Sequence, residues 1–116
     1  MKIQLLEKTH NRKNFTCEED SLTEYIRKQV NQDIRKRLAT CFVAIDNQKN
    51  VIGYYTLSSE SLGRELIPER YLKQLPKNYN APVILLGRLA RDITAKGTGL
   101  GEHLLLDALF RSYHLS

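Results

Sequence analysis

The sequence has 116 residues, enough for one modest core. Hydrophobic residues make up 41% and charged residues 27%, which excludes a disordered chain, and no apolar run is long enough to cross a bilayer as a helix. The formal net charge of +5 favours a polyanionic partner without requiring one.

Residues 3–6 read as a short first strand. The N-terminal residues before and around it lack an apolar h-region and a small-residue cleavage site, so no signal peptide and a cytoplasmic location are expected, with no membrane contact. Cys17 and Cys41 stand alone, and His10, His103 and His114 are scattered, so neither a disulfide framework nor a metal site is expected. Buried, inert thiols are the natural reading.

Ser21-Leu22-Thr23-Glu24 has the pattern of a capping box, with serine and glutamate exchanging backbone amides. After it, Leu22, Tyr25, Ile26, Val30, Ile34 and Leu38 recur at helical spacing, which predicts an amphipathic helix over residues 21–38 with room for one break. The opposite face carries Arg27, Lys28, Arg35, Lys36 and Arg37. Such a face is either solvated surface or a track for phosphates, and the sequence leaves both open.

Residues 41–45 predict a buried strand, 46–50 a polar turn and 51–57 the return strand of an antiparallel hairpin. Residues 58–80 form a long connection containing Pro68 and Pro76. On it, Leu62, Leu66 and Ile67, then Tyr71, Leu72 and Leu75, suggest one or two helical turns. A second buried strand is expected over residues 83–90. The last segment, 99–113, aligns Leu100, Leu104, Leu105, Ala108, Leu109 and Tyr113 on one helical stripe. This order argues for a single α+β domain over residues 1–116, built on a largely antiparallel sheet flanked by helices.

The chemistry concentrates between Leu85 and Gly101. There a strand delivers a glycine-rich loop, Lys96-Gly97-Thr98-Gly99-Leu100-Gly101, to the start of a helix. Unpaired amides of a first helical turn and the helix dipole suit a phosphate or pyrophosphate. A P-loop is excluded because no Lys-Ser or Lys-Thr pair follows a glycine at the required spacing. A dinucleotide fingerprint is excluded because Glu102 stands where its third glycine belongs.

The loop resembles motif A of the GNAT acetyltransferases, Gln/Arg-x-x-Gly-x-Gly/Ala, with Lys96 at the first position. Leu86-Gly87-Arg88-Leu89-Ala90-x-Asp92, Phe15-x-Cys17 and the run from Val51 to Ser58 resemble the toxin branch of that family, from toxin–antitoxin pairs. The resemblance implies the GNAT fold without its C-terminal strand–helix–strand portion, acetyl-CoA as co-substrate and no metal. It implies that the backbone of Leu89, Ala90 and Arg91 lies along the pantetheine arm, and that Lys96, Gly97, Thr98, Gly99, Leu100 and Gly101 hold the pyrophosphate. The implied acceptor is the amino group of an aminoacyl-tRNA, with a cognate antitoxin as protein partner; without that C-terminal portion the open edge of the 83–90 strand and the stripe of Leu104, Leu105 and Leu109 predict a homodimer.

The tyrosine that generally protonates the leaving thiolate in that family lies beyond the last helix, so the resemblance assigns no catalytic acid here. Tyr113 reads as packing, and Tyr54 and Tyr55 as strand residues. Arg91 stands where the family has a small apolar residue; it could reach a cofactor phosphate or pair with a carboxylate. Arg88 could be a site residue or, with Glu60 and Glu65 upstream, a structural ion-pair member, and Asp92 could be a base or, as loop-start aspartates more often are, a backbone-bonding residue. Two other functions stay open: a shortened module that binds coenzyme A or a partner without turnover, and a basic nucleic-acid-binding domain.

Overall fold

In the computed structural model, residues 2–62, 69–73 and 81–115 are described. Strand β2 (Thr40–Ile45) is apolar on both faces, and Cys41, Phe42, Val43 and Ala44 are all buried. Such a strand must lie between two covered faces, and it does. Among the described residues it sits in a four-stranded sheet of order β1-β2-β3-β4, with β1 (Lys2–Leu5), β3 (Val51–Leu62) and β4 (Ala81–Arg91), and each neighbouring pair is antiparallel.

One face is covered by a helical segment made of α1 (Asp20–Glu24), a π-helical turn (Tyr25–Gln29) and α2 (Val30–Arg35). Its Tyr25, Ile26 and Val30 pack with Phe15, Cys17, Cys41, Val43 and Tyr54. The short α3 (Glu69–Leu72) lies between β3 and β4 in the chain. The opposite face of the sheet is covered by α4 (Leu100–Leu115), whose Leu100, Leu104 and Ala108 pack on Phe42, Ala44, Tyr55 and Leu57. The expected α+β class, antiparallel hairpin and free buried cysteines are all present. Burial pushes the Cys41 thiol up to about 12, so it is inert at neutral pH.

Four local expectations are corrected. The helix starts at Asp20 with Glu19 as a cap that makes no side-chain bond, so Ser21-Leu22-Thr23-Glu24 is no capping box. Thr23 is instead buried and accepts the Cys17 amide at 3.0 Å, fixing the entry of the chain from inside the helix. The helix ends at Arg35, before Leu38. Arg37 takes φ 59°, and the Leu38 amide reaches back to the Asp33 carbonyl at 2.8 Å while the Arg37 amide reaches Ile34 at 3.0 Å. That is a Schellman stop with an arginine at the left-handed position, and it leaves Leu38 59% exposed.

β4 is not buried throughout: Leu85 and Leu86 are exposed, and the strand lies at the edge of the described sheet. Only every fourth residue of the α4 stripe reaches the core, and Leu105, Leu109 and Tyr113 are exposed. Of the turns expected on the long connection, 69–72 is helical, whereas Leu62 is the last residue of β3, which runs on through 58–62; Leu66, Ile67 and Leu75 fall outside the described residues.

Candidate functional site

The end of β4 is held by one carboxylate. Asp92 is buried, and its Oδ1 accepts the Thr16 amide at 2.8 Å while Oδ2 accepts the Thr94 amide at 2.9 Å and the Thr94 hydroxyl at 2.6 Å. Its own amide donates to the Ile52 carbonyl at 2.7 Å, and the Ile93 amide donates to the Thr16 carbonyl at 2.8 Å. Burial alone would raise this carboxyl. The Thr94 hydroxyl, the Thr16 and Thr94 amides and the Arg27 charge outweigh burial and hold it below the usual carboxylate range. With both oxygens committed, Asp92 is the loop-start anchor that the sequence suggested, not a base.

From this anchor a single 3₁₀ turn (Ile93–Ala95) leads into the glycine loop. Gly97 and Gly99 have φ of 81° and 82°, a region where any side chain is strained. A Cβ added at Gly97, Gly99 or Gly101 would meet nothing within 4 Å, so the glycines border open space and are not there for close packing. Thr98 folds its hydroxyl back onto the Ala95 carbonyl at 2.6 Å. The first helical bond runs from His103 to the Gly99 carbonyl at 3.1 Å, so the amides of Leu100, Gly101 and Glu102 have no intrahelical partner, whereas those of Lys96 and Thr98 already donate to the Ile93 and Ala95 carbonyls, both at 3.3 Å.

The other side of the loop is rigid. Leu100 and Leu104 are fully buried, and a Cβ on Gly53 would come within 2.9 Å of Leu104 Cδ1 and 3.0 Å of Leu100 Cδ2. The helix therefore sits down on a glycine of β3. Because the Leu100 and Ala90 side chains belong to the core, any ligand contact at those two positions must use backbone atoms.

β4 carries one irregularity. The β3 partner of Arg88 is Thr56 and that of Leu86 is Leu57, which leaves Gly87 as an extra residue. A Cβ there would lie 2.9 Å from Thr56 Oγ1, so the bulge needs glycine. Beyond it, Arg88 stacks its guanidinium 3.7 Å from the centre of the Tyr25 ring. The observed partner is thus an aromatic face; the Glu60 side chain and Glu65, its expected ion-pair partners, fall outside the described part. Arg91 forms an ion pair with Glu18 at 3.1 Å, a carboxylate being one of the two partners expected for it.

Tyr54 and Tyr55 stand opposite Ala90 and Leu89, and each hydroxyl is hydrogen-bonded within the protein. Both are fully buried. Tyr54 donates to the Leu22 carbonyl at 2.6 Å and Tyr55 to Asp107 Oδ2 at 2.6 Å. Burial pushes both hydroxyls above the usual phenol range, and for Tyr55 the Asp107 bond adds to it.

The basic helical face is divided. Arg27 and Lys28 line a groove of about 530 Å³ together with residues of the 8–13 segment, and Arg35 lines an adjoining one of about 470 Å³. Arg37 belongs to a different groove, beside Leu5, Leu38 and Ile84, and Lys36 is an exposed residue at the helix end. Sequence reading missed Glu18, Thr16 and Gly53 as supports of the site. An Asp-x-Thr at a loop start hints at the Thr94 bonds, but nothing local announces partners more than seventy residues away.

No profile of a known protein family matches the chain. A tRNA-acetylating toxin of Mycobacterium tuberculosis (strain ATCC 25618 / H37Rv) is 39% identical over 98 residues, which are 84% of this chain and 57% of that protein. The chain thus spans little more than half the length of this relative. Two solved structures superpose on nearly all of it: AtaT complexed with acetyl-methionyl-tRNAfMet (TM-score 0.83, 26% identity, 99% of this chain and 70% of that one) and AtaTR bound with AcCoA (TM-score 0.83, 27% identity, 99% and 69%).

Proposed function

We propose that this chain, a GNAT-fold relative of the tRNA-acetylating toxins, binds acetyl-CoA at β4 and the 96–101 loop and acetylates the amino group of an aminoacyl-tRNA. The observation that carries the reading is the open cradle at Gly97, Gly99 and Gly101, set between an edge strand and the start of a long helix. The residues present fit the cofactor. Amides of the loop and the first turn of α4 would hold the pyrophosphate, with Lys96 exposed beside them. The backbone of Leu89, Ala90 and Arg91, at the edge of the sheet, would run along the pantetheine arm. When bound, acetyl-CoA supplies the activated thioester. What the chain contributes is placement: the Asp92 anchor and the Gly53 seat fix the cradle against the strand, and positioning of this kind supplies much of the rate in direct amine attack.

In this reading residues 1–116 form one domain of the fold, acting in the cytoplasm as the toxin of a toxin–antitoxin pair. Its exposed Leu106, Leu109 and Phe110 provide a surface for self-association. The comparison structures with acetylated tRNA and with AcCoA support substrate and cofactor. A second reading, a binding module without turnover, is favoured by one observation: both tyrosines opposite the site are committed to the core.

Incubation with radiolabelled acetyl-CoA and charged or deacylated tRNA tests the reading. Label is expected only on charged tRNA. Cofactor binding without label would select the module, and absence of cofactor binding would overturn both.

A further inference from the structure

The basic residues between β1 and α1 carry no signal in the sequence pattern, yet the fold lays their segment against the basic helical face. Lys8, Arg12 and Lys13 come from this segment, and Arg27 and Lys28 from the π-helical turn; they line one groove of about 530 Å³ with Thr9, His10 and Asn11. Among the described residues no carboxylate lines it. A second groove of about 470 Å³ continues from it, sharing Lys8 and Arg12 and adding Arg35, with Glu7 as the one acid among its described lining residues.

The two arginines are fixed by neutral acceptors. Arg12 donates to the Ile26 carbonyl at 3.1 Å and Asn31 Oδ1 at 3.4 Å. Arg27 donates to the Phe15 carbonyl at 2.9 Å and Thr16 Oγ1 at 2.9 Å. Neither makes an ion pair among the described residues, and the Arg27 charge also acts on the Asp92 carboxylate. Lys28 is paired with Glu24 in an exposed contact at 3.1 Å, while Lys8 and Lys13 form no ion pair among the described residues. Two rigid cations flanked by exposed lysines along two joined grooves suit a chain of phosphates better than a single small anion, which would need convergent donors.

We infer that this double groove is the track for the phosphate backbone of the RNA acceptor, with Lys8 and Lys13 as its mobile contacts and Arg12 and Arg27 as its fixed ones. The inference rests on the proposed RNA substrate. It also narrows that proposal, because Lys36 and Arg37 lie outside the track.

The test is fluorescence anisotropy with a labelled RNA hairpin carrying a single-stranded 3′ end, at several salt concentrations. Lys8→Glu/Lys13→Glu is expected to weaken binding at least about tenfold near 0.1 M salt and to flatten the log–log salt slope by about 0.7–0.9 for each phosphate no longer neutralised. Lys36→Glu/Lys73→Glu carries the same charge change and is expected to stay within about twofold of the parent. Equal weakening by the two pairs would overturn the track and leave only a net-charge effect, with the RNA reading intact. No binding by the unaltered chain would remove the RNA reading and the track together. Coenzyme A and its 3′-dephospho form provide the remaining arm: if the groove pair weakened only the former, the groove would belong to the cofactor's phosphate and the inference would fail.

Discussion

Asp92 and Thr16 lie 76 positions apart in the chain, and the carboxylate of the first accepts the amide of the second at 2.8 Å. The bond ties the segment before α1 to the strand end that launches the glycine loop, so the candidate site depends on a contact between distant parts of the chain. Its electrostatics give a pH signature. The folded carboxyl titrates below its unfolded value, so its stabilisation is complete above the unfolded pKa, near 3.9, and is lost as pH falls through the depressed folded value. Asp92→Asn puts an amide NH₂ where one set of donors points. It is expected to cost about 1–3 kcal/mol in urea unfolding at pH 7 and to flatten the acid limb below about pH 4. An unchanged acid limb would show that another group controls it.

The glycine loop separates two effects at neighbouring positions. Gly99→Asp combines strain at φ 82° with a negative charge in the cradle. Calorimetry is expected to show coenzyme A affinity falling by at least about tenfold, with stability reduced by about 1–2 kcal/mol. Gly101→Ala is expected to raise stability by up to about 0.5 kcal/mol, since alanine is the better helix former, while still weakening cofactor binding. Intact affinity in both variants would remove the cofactor from this loop.

Gly53→Ala probes the seat of α4. The added methyl would crowd Leu104 and Leu100 at about 3 Å, and both are fully buried. Overpacking of this kind is expected to cost about 1–3 kcal/mol and to lower cofactor affinity through displacement of the loop. Thermal unfolding and calorimetry on the same variant check the two parts.

Tyr54→Phe and Tyr55→Phe are expected to lose about 1 kcal/mol each, the worth of one buried hydrogen bond, and to leave any acetyl transfer within about twofold. A fall of about a hundredfold in either variant, with the fold intact, would identify the catalytic acid.

Sedimentation addresses the outer face of α4, where Leu106 and Phe110 are 67% and 65% exposed. Concentration-dependent association is expected in the micromolar range, reduced by Leu106→Ser/Phe110→Ser. A monomer at all concentrations would exclude self-association through this face.

The sequence made the periodic elements visible because burial imposes a period: Tyr25, Ile26 and Val30 on one face, and Leu100, Leu104 and Ala108 on the other. It also exposed the glycine loop, whose residue types follow directly from positive φ and open space. Edge effects were not legible in the periodicity itself. Leu85, Leu86, Leu105 and Leu109 are as apolar as core residues, and only the strand order shows that nothing among the described residues covers them. The basic groove was half legible, since Arg27 and Lys28 stand out on a helix while Lys8 and Lys13 gain meaning only once the chain folds back.

The π-helical turn at Tyr25–Gln29 also acts as a phase shifter. One residue more per turn than an α-helix displaces everything after Gln29 by about 100° around the axis relative to an unbroken helix. Removing a single residue from this turn would rotate Val30 off the sheet and swing Arg35 away from the groove it lines, so packing and charge placement are geared to the same insertion. A helix with such a gear tolerates substitution far better than it tolerates a change of length.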